Sequence, residues 1–593
     1  MYIKDNVLDF LTIRQKNRLK IYILCFTLVL IIATGRLWLV MVKNGDEYTD
    51  NATEVQERER SIKAPRGNIY DRNGNVIAAN KAVCQISVIR RQIKDEETVI
   101  KKLSELLQID ESIVRKKVSK KSSREIIKAN VEKETADEIR NLGLDGVVVD
   151  EDFSRYYPYD TMASKVIGFT GGDNQGILGL EVSYNDYLTG KNGSINTTTD
   201  ASGMKIEKNL ERRVEPEAGN NLYTTLDINI QQYIEQKALE VKELRNANRV
   251  CIIVMNPQNG EIYGLADVPE YNLNEPFVLN YDHAGDTTMD MLNEMWRCFC
   301  ISDSYEPGST FKIVTATTAF ENGVLNETDN FFCPGYKIVE DRKIRCHKVV
   351  GHGSETFREG IMNSCNPVFM EVGARIGVDN FYEEFDKLGL FSKTGIDMPG
   401  EATSIFHKKE NVGNVELATM SFGQSFQITP IQMIRTVSCV VNGGKLVTPH
   451  FGLYVSDSNN NIIERLEFEE EENVISSETS QRMRNLLRDV VAEGTGHNAY
   501  VEGYDIGGKT ATSEKLPRRS GKYIASFIGF APVDEPQVLT LILIDEPQGV
   551  YYGGTIAAPA VGDIYKNILP YLNIEREEVS DEEEIIYIPD TVF

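Results

Sequence analysis

The hydrophobic pattern is uneven along the chain. Ile21 to Val42 is apolar nearly throughout, is bounded by Lys20 and Lys43, and carries Arg36 as its one charged residue. That length meets the roughly 20 residues an α-helix needs to cross a bilayer. Arg36 lies near the end of the run, where its stem can snorkel to the headgroups. Lys4, Arg14, Lys16, Arg18 and Lys20 all precede it, which predicts a cytoplasmic amino terminus and an extracytoplasmic remainder at the plasma membrane. A cleaved signal peptide fits less well, because the run outlasts an ordinary apolar core and no small-x-small site follows. Residues 1–20 are read as a cytoplasmic tail and 21–43 as a single transmembrane anchor.

Residues 44–220 are polar and mixed, with Val99, Ile100, Leu103, Leu106 and Leu107 spaced along one helical face. From about 221 the texture changes. Val250 to Met255 is a continuous apolar run, Pro257-Gln258-Asn259-Gly260 a turn and Ile262 to Ala266 a second run, which together predict a β-hairpin. Helical patterns follow from Ser309 to about Asn322, from Pro367, from Thr429-Pro430 to Gly443, and after Ser477 to Gly494. Tyr523 to Phe530 and Val538 to Ile544 read as buried strands, with Pro532 and Pro536 in the link. Strands, helices, then strands predict one domain over 221–575 whose sheet is built from both ends of the segment. The acidic runs Glu469 to Glu472 and Asp581 to Glu584 read as solvated surface, the second within a tail at 576–593.

Three clusters carry candidate chemistry. Glu306-Pro307-Gly308-Ser309-Thr310-Phe311-Lys312 puts a serine on the first turn of a helix and a lysine three residues on, so both side chains share a face. A lysine takes a serine proton when burial and nearby cations lower its pKa, and a helix amino terminus favours negative charge on the oxygen. Ser364-Cys365-Asn366, followed by Pro367, displays a hydroxyl and an amide before a helix; alone it reads as a cap, in company as a proton relay and a carbonyl holder. Gly507-Gly508-Lys509-Thr510-Ala511-Thr512 combines glycines that admit a ligand backbone, a fixed cation, and hydroxyls that grip a carboxylate.

Rival readings are weaker. Gly503 with Gly508-Lys509-Thr510 also fits the phosphate-binding loop of ATPases, but Pro517 and Gly521 fall where its helix should run. Six histidines, His283, His347, His352, His407, His450 and His497, accompany no G-x-S-x-G elbow, so no Ser-His-Asp triad is selected. Charge narrows the classes further. Lys and Arg number 64 against 89 Asp and Glu, a net charge of −25, which disfavours nucleic acid as a partner. Of the nine cysteines, Cys25 lies in the anchor, and the others face a compartment where disulfides form. Cys333 and the Cys346-His347 pair lack the second half of a zinc motif, so neither metal nor cofactor is expected. Cys346 and Cys365 are a candidate redox pair, with Cys333, Cys298 and Cys300 as other partners; a buried free thiol is the simpler reading.

Together the three clusters resemble the S-x-x-K, S-x-N and K-T-G boxes of the penicillin-recognising serine enzymes. Arg66-Gly67-Asn68-Ile69-Tyr70-Asp71-Arg72-Asn73-Gly74, Gly176 to Gly193 with Gly179-Leu180-Glu181, and Thr224, Leu226 and Asp227 resemble stretches of class B penicillin-binding proteins. So do Asn256-Pro257-Gln258-Asn259-Gly260-Glu261, Tyr305-Glu306-Pro307-Gly308 and Gly423 to Gln432. The likeness runs from about residue 20 to about 575, and Ala511 departs from it, standing where the third box has glycine.

The resemblance implies an α+β fold: a transpeptidase domain with an antiparallel sheet flanked by helices, on a mixed α/β pedestal of the dimerisation type at 44–220, behind one membrane helix. It implies a peptidoglycan D,D-transpeptidase of the division or sporulation type, inhibited by β-lactams. Its substrate is a stem peptide ending in D-Ala-D-Ala, which acylates Ser309. Lys312 would be the base, Ser364 with Asn366 would pass a proton to the leaving D-Ala, and Lys509, Thr510 and Thr512 would hold the terminal carboxylate. Ala511 would add a methyl beside the substrate strand, and the N–H groups of Ser309 and Thr512 would form the oxyanion hole. Implied partners are a membrane glycan polymerase and division or sporulation proteins, and the pedestal leaves a homodimer open. A penicillin-recognising sensor that stops at the acyl-enzyme is the alternative, disfavoured by the short segment before the anchor.

Overall fold

The computed structural model describes residues 13–44, 57–120, 124–198, 212–280 and 285–576. Lys4, His283, Asp581 to Glu584 and the rest of the tail from 577 lie outside the described residues. An α-helix, Ile13–Trp38, continues as a π-helical turn at Leu39–Lys43. It is long and apolar enough to cross a membrane, with a mean hydropathy of 2.3. It starts earlier than the apolar run because the basic residues Arg14 to Lys20 continue the same helix.

Two compact units make up the chain, and neither is one stretch. The smaller takes Met1–Ala64, Ala82–Phe153 and Lys191–Glu217, the larger Pro65–Lys81, Ser154–Gly190 and Ala218–Phe593. In the smaller unit the helix Glu96–Leu107 starts where the Asp95 side chain accepts a hydrogen bond from Thr98 N, and it buries Val99, Ile100, Leu103 and Leu107. That face packs with Val114, Val118, Ala136 and Ile139 of two further helices under Ile86, Val88, Ile127 and Val131.

The larger unit is organised by a five-stranded antiparallel sheet. Its order is Ile262–Val268, Arg249–Met255, Val538–Asp545, Tyr523–Ala531, Gly507–Glu514, so both ends of the segment supply it as the pattern predicts. Every residue of Val538–Asp545 is buried, because helices cover both faces. On one face lie Ile228–Arg245 and Ala558–Tyr571, two helices the sequence pattern did not single out. On the other face the helix Lys312–Glu321 packs against Asn366–Lys387, Pro430–Val441 and Ser477–Ala492. This helix is buried from Lys312 to Phe320, as an apolar helix at the centre of a bundle must be.

Two of the motif stretches meet in a buried charge network of the same unit. Arg66 Nε donates to Glu181 Oε2 at 2.6 Å and Arg155 Nε to Glu181 Oε1 at 2.6 Å. Arg66 NH1 reaches Asn174 O, Asn185 Oδ1 and Thr189 Oγ1, each at 2.9 Å. Leaving one partner of such a network uncompensated costs on the order of 3–5 kcal/mol, which is why Arg66 is satisfied on every side.

Candidate active site

The nucleophile turn is built by close backbone approach. Gly308–Phe311 is a 3-10 turn that runs into the helix Lys312–Glu321, so Ser309 stands on the turn ahead of the α-helix and Lys312 at its first residue. Gly308 has φ +58, and a Cβ there would meet Ser513 Oγ at 2.3 Å. Gly423 has φ +82, and its Cβ would meet Gly308 O at 2.0 Å. Only glycine fits between the turn, the edge strand and the Gly423 segment. Glu306 secures the turn from the other side, its Oε1 accepting from Ser425 N at 3.0 Å and its Oε2 pairing with Arg518.

Lys312 gathers the first two boxes. Its Nζ donates to Ser364 O at 2.7 Å, Ser364 Oγ at 3.2 Å and Asn366 Oδ1 at 2.8 Å. Burial pulls its pKa down to about 8, against raising contributions from Cys365, Cys346 and Glu355. Ser364 is buried with φ +53, a left-handed backbone that costs a non-glycine residue roughly 1–2 kcal/mol. Strain of this kind is held in place by the surrounding structure and is concentrated at working sites. Cys365 precedes the helix Asn366–Lys387, with Pro367 in its first turn.

The third box is the edge strand Gly507–Glu514. Lys509 is fully buried, and desolvation followed by the like charge of Lys312 holds its pKa well below the usual lysine range. Thr510 Oγ1 donates to Thr495 Oγ1 at 3.2 Å, and Thr512 Oγ1 accepts from Gly553 N at 3.0 Å. A strand followed by a turn at 515–522 replaces the helix that a phosphate-binding loop requires.

Ala511 is 3 % exposed, and its Cβ lies 3.6 Å from where a Gly308 Cβ would stand, so the methyl packs against the nucleophile turn. Strand alternation gives it the same face as Lys509 and Ser513, and Ser513 Oγ would meet that Gly308 Cβ. Ala511→Gly should therefore lower stability by about 1 kcal/mol through the lost methyl and the freer unfolded chain, and leave β-lactam acylation within about twofold. Melting and stopped-flow acylation of the two proteins check this, and a tenfold rate change in either direction would contradict it.

The absence of a paired Cys/His spacing did not foresee what the fold does with four residues. Cys333, Cys346, His352 and Cys365 bring one ligand atom each to within 4.8 Å of one another. These four groups come singly from four places and not as two C-x-x-C halves, which is why spacing along the chain did not show them. Among the described residues every cysteine is a free thiol. The candidate redox partners Cys298 and Cys300 lie in another cluster, Cys300 beside Cys251.

A family model for the penicillin binding protein transpeptidase domain matches residues 250–566, and one for the penicillin-binding protein dimerisation domain matches 61–224. The chain belongs to the penicillin binding protein transpeptidase family, a class of enzyme. Among its relatives, stage V sporulation protein D of Bacillus subtilis is 38 % identical, over 94 % of this chain and 86 % of that protein. Peptidoglycan D,D-transpeptidase FtsI of Escherichia coli is 27 % identical, over 94 % and 92 % respectively. The crystal structure of penicillin binding protein 2X from Streptococcus thermophilus shares the fold, with a TM-score of 0.70 at 22 % identity over 86 % of this chain and 80 % of that one.

Proposed function

We propose that the chain is a membrane-anchored peptidoglycan D,D-transpeptidase that joins stem peptides through an acyl-enzyme at Ser309. The observation that carries the reading is Lys312: a fully buried ammonium, held by Ser364 and Asn366, with a pKa pulled to about 8. A lysine in that state is partly neutral near physiological pH and is matched to general-base work. Lys312 takes the Ser309 proton as the oxygen attacks the penultimate carbonyl of a D-Ala-D-Ala terminus. The N–H groups of Ser309 and Thr512 receive the developing oxyanion. Collapse breaks the peptide bond, and Ser364, bonded to Lys312, relays the proton to the departing D-Ala amine. An acceptor amine then attacks the ester, forms the cross-link and returns the proton to Ser309.

Lys509 supplies the positive field that a terminal carboxylate seeks, with the edge strand aligning the substrate backbone. The same chemistry accounts for β-lactam inhibition, since a strained amide offers the same carbonyl to Ser309. The basic residues before the anchor support a catalytic unit outside the membrane by the positive-inside rule. Glycan polymerisation then belongs to a partner, and division or sporulation proteins select where cross-links form.

The full-length protein in detergent, given a stem pentapeptide donor and an amine acceptor, should release D-Ala and yield the cross-linked dimer by mass spectrometry. A single equivalent of D-Ala released with the acyl-enzyme persisting would make it a sensor, and continued release without dimer a carboxypeptidase.

A further inference from the structure

We propose that Cys333, Cys346, His352 and Cys365 bind a single zinc ion, and that this ion anchors the Ser364-Cys365-Asn366 turn of the active site. The four ligand atoms lie within 4.8 Å of one another. In a tetrahedral zinc centre with metal–sulfur bonds of about 2.3 Å, ligand atoms stand about 3.7 Å apart. Cys346 Sγ to His352 Nδ1 is already 3.8 Å. The set is enclosed: Cys333 and Cys365 are wholly buried, Cys346 is 3 % exposed and the His352 side chain 5 %.

Three thiolates and an imidazole are the ligands of a closed, structural zinc site with no position left open for water or substrate. Four atoms this close hold one ion and leave no room for an iron–sulfur cluster. Binding displaces the three thiol protons to solvent and leaves the centre with one net negative charge.

The surroundings are built as a metal site requires. Glu355 Oε1 is buried without a hydrogen-bond partner 3.8 Å from His352 Nδ1, the nitrogen that also stands 3.8 Å from Cys346 Sγ, so an unpaired buried carboxylate borders the cluster, while Glu355 Oε2 is steadied by Asn363 Nδ2 at 3.1 Å. Two tight turns bring the ligands in: a Cβ on Gly335 would meet Val349 O at 2.1 Å, and one on Gly351 would meet Cys333 O at 2.3 Å. Between Cys333 and Cys346 runs only the hairpin Tyr336–Val339 and Arg342–Arg345, closed at its base by Cys346 N bonding Gly335 O at 2.9 Å.

Position gives the site its consequence. Cys365 lies between the two residues that hold Lys312 Nζ, and Asn366 Nδ2 donates to Arg345 O beside Cys346 at 3.2 Å. An ion joining Cys365 to Cys333 and Cys346 therefore fixes the strained Ser364 turn from below, without touching substrate. It also occupies the thiols that would otherwise form a Cys346–Cys365 disulfide in an oxidising compartment.

The test uses full-length protein in detergent and reads metal independently of turnover, so its failure is separable from failure of the transpeptidase reading. Elemental analysis should find one zinc per chain. Cobalt exchanged into the site should show tetrahedral d–d absorption and a thiolate charge-transfer band. Cys333→Ser with Cys346→Ser should lose at least tenfold in bound zinc, and Cys439→Ser, a buried thiol elsewhere, should lose none. His352→Cys should keep the metal with a shifted cobalt spectrum, a variant that needs no empty site to fold. Chelation of the parent should lower its melting temperature and slow β-lactam acylation at least tenfold, with rescue by added zinc. Parent protein that neither retains nor takes up zinc, or that is isolated with a Cys346–Cys365 disulfide, overturns the proposal. Zinc that can be stripped without slowing acylation overturns its anchoring role.

Discussion

Ser309→Ala should abolish covalent labelling by a fluorescent penicillin and lower cross-linking by about 10⁴-fold or more, while the protein melts where the parent does. The size of the loss follows from the role: an alanine methyl cannot form the ester, and what remains is binding and polarisation alone. The unchanged melting follows from position, since Ser309 is half-buried on a 3-10 turn whose geometry is set by Gly308, Gly423 and Glu306. Peptide mapping of parent protein should place the β-lactam adduct on the peptide containing Ser309. An adduct that survives the substitution would move the nucleophile elsewhere.

Lys312→Met should slow acylation by about 10³-fold and remove its pH dependence, the second-largest effect expected. In the parent the base must be neutral to accept the serine proton. With the pKa of Lys312 at about 8, the acylation rate should rise about tenfold per pH unit below 8 and level off above it. Stability carries the same signature with its own sign. The folded pKa lies below the unfolded value near 10.5, so the unfolded chain binds more protons between those values. Folding is penalised most below about pH 8, and the penalty fades as pH rises toward 10.5. The methionine variant lacks the titrating group, so its denaturation midpoint should vary less across that window. Parent-like acylation with a parent-like pH profile in Lys312→Met would show that the base is another group.

Much of the site was legible because its elements are short and local. The edge strand that carries K-T-A-T shows no such local signal and was not read from the sequence, whereas S-x-x-K at a helix start and S-x-N ahead of Pro367 follow from spacing within a few residues. The same holds for the hairpin around Pro257 to Gly260 and for the strands near 527 and 541, whose apolar runs are long enough to overcome ambiguity. The side that Ala511 presents was not legible. Strand alternation gives each residue a side, but not which side meets the nucleophile turn; only the position of Gly308 decides that.

The metal-ligand set was illegible for a different reason. Cys333, Cys346, His352 and Cys365 are separated by a hairpin, a loop and a helix, and no periodicity links them. The interleaving of Pro65–Lys81 and Ser154–Gly190 with the larger unit is likewise set by the buried pairing of Arg66 with Glu181, more than a hundred residues apart in the chain. The sequence by itself showed a span-length apolar helix, a sheet fed from both ends of one segment and three candidate motifs, because each rests on periodicity or spacing inside one element, while the α+β class came from the family resemblance. Tertiary structure alone decided the burial that tunes Lys312, the face presented by Ala511 and the convergence of three thiols and an imidazole, because those depend on packing among segments distant in the chain, which no local pattern records.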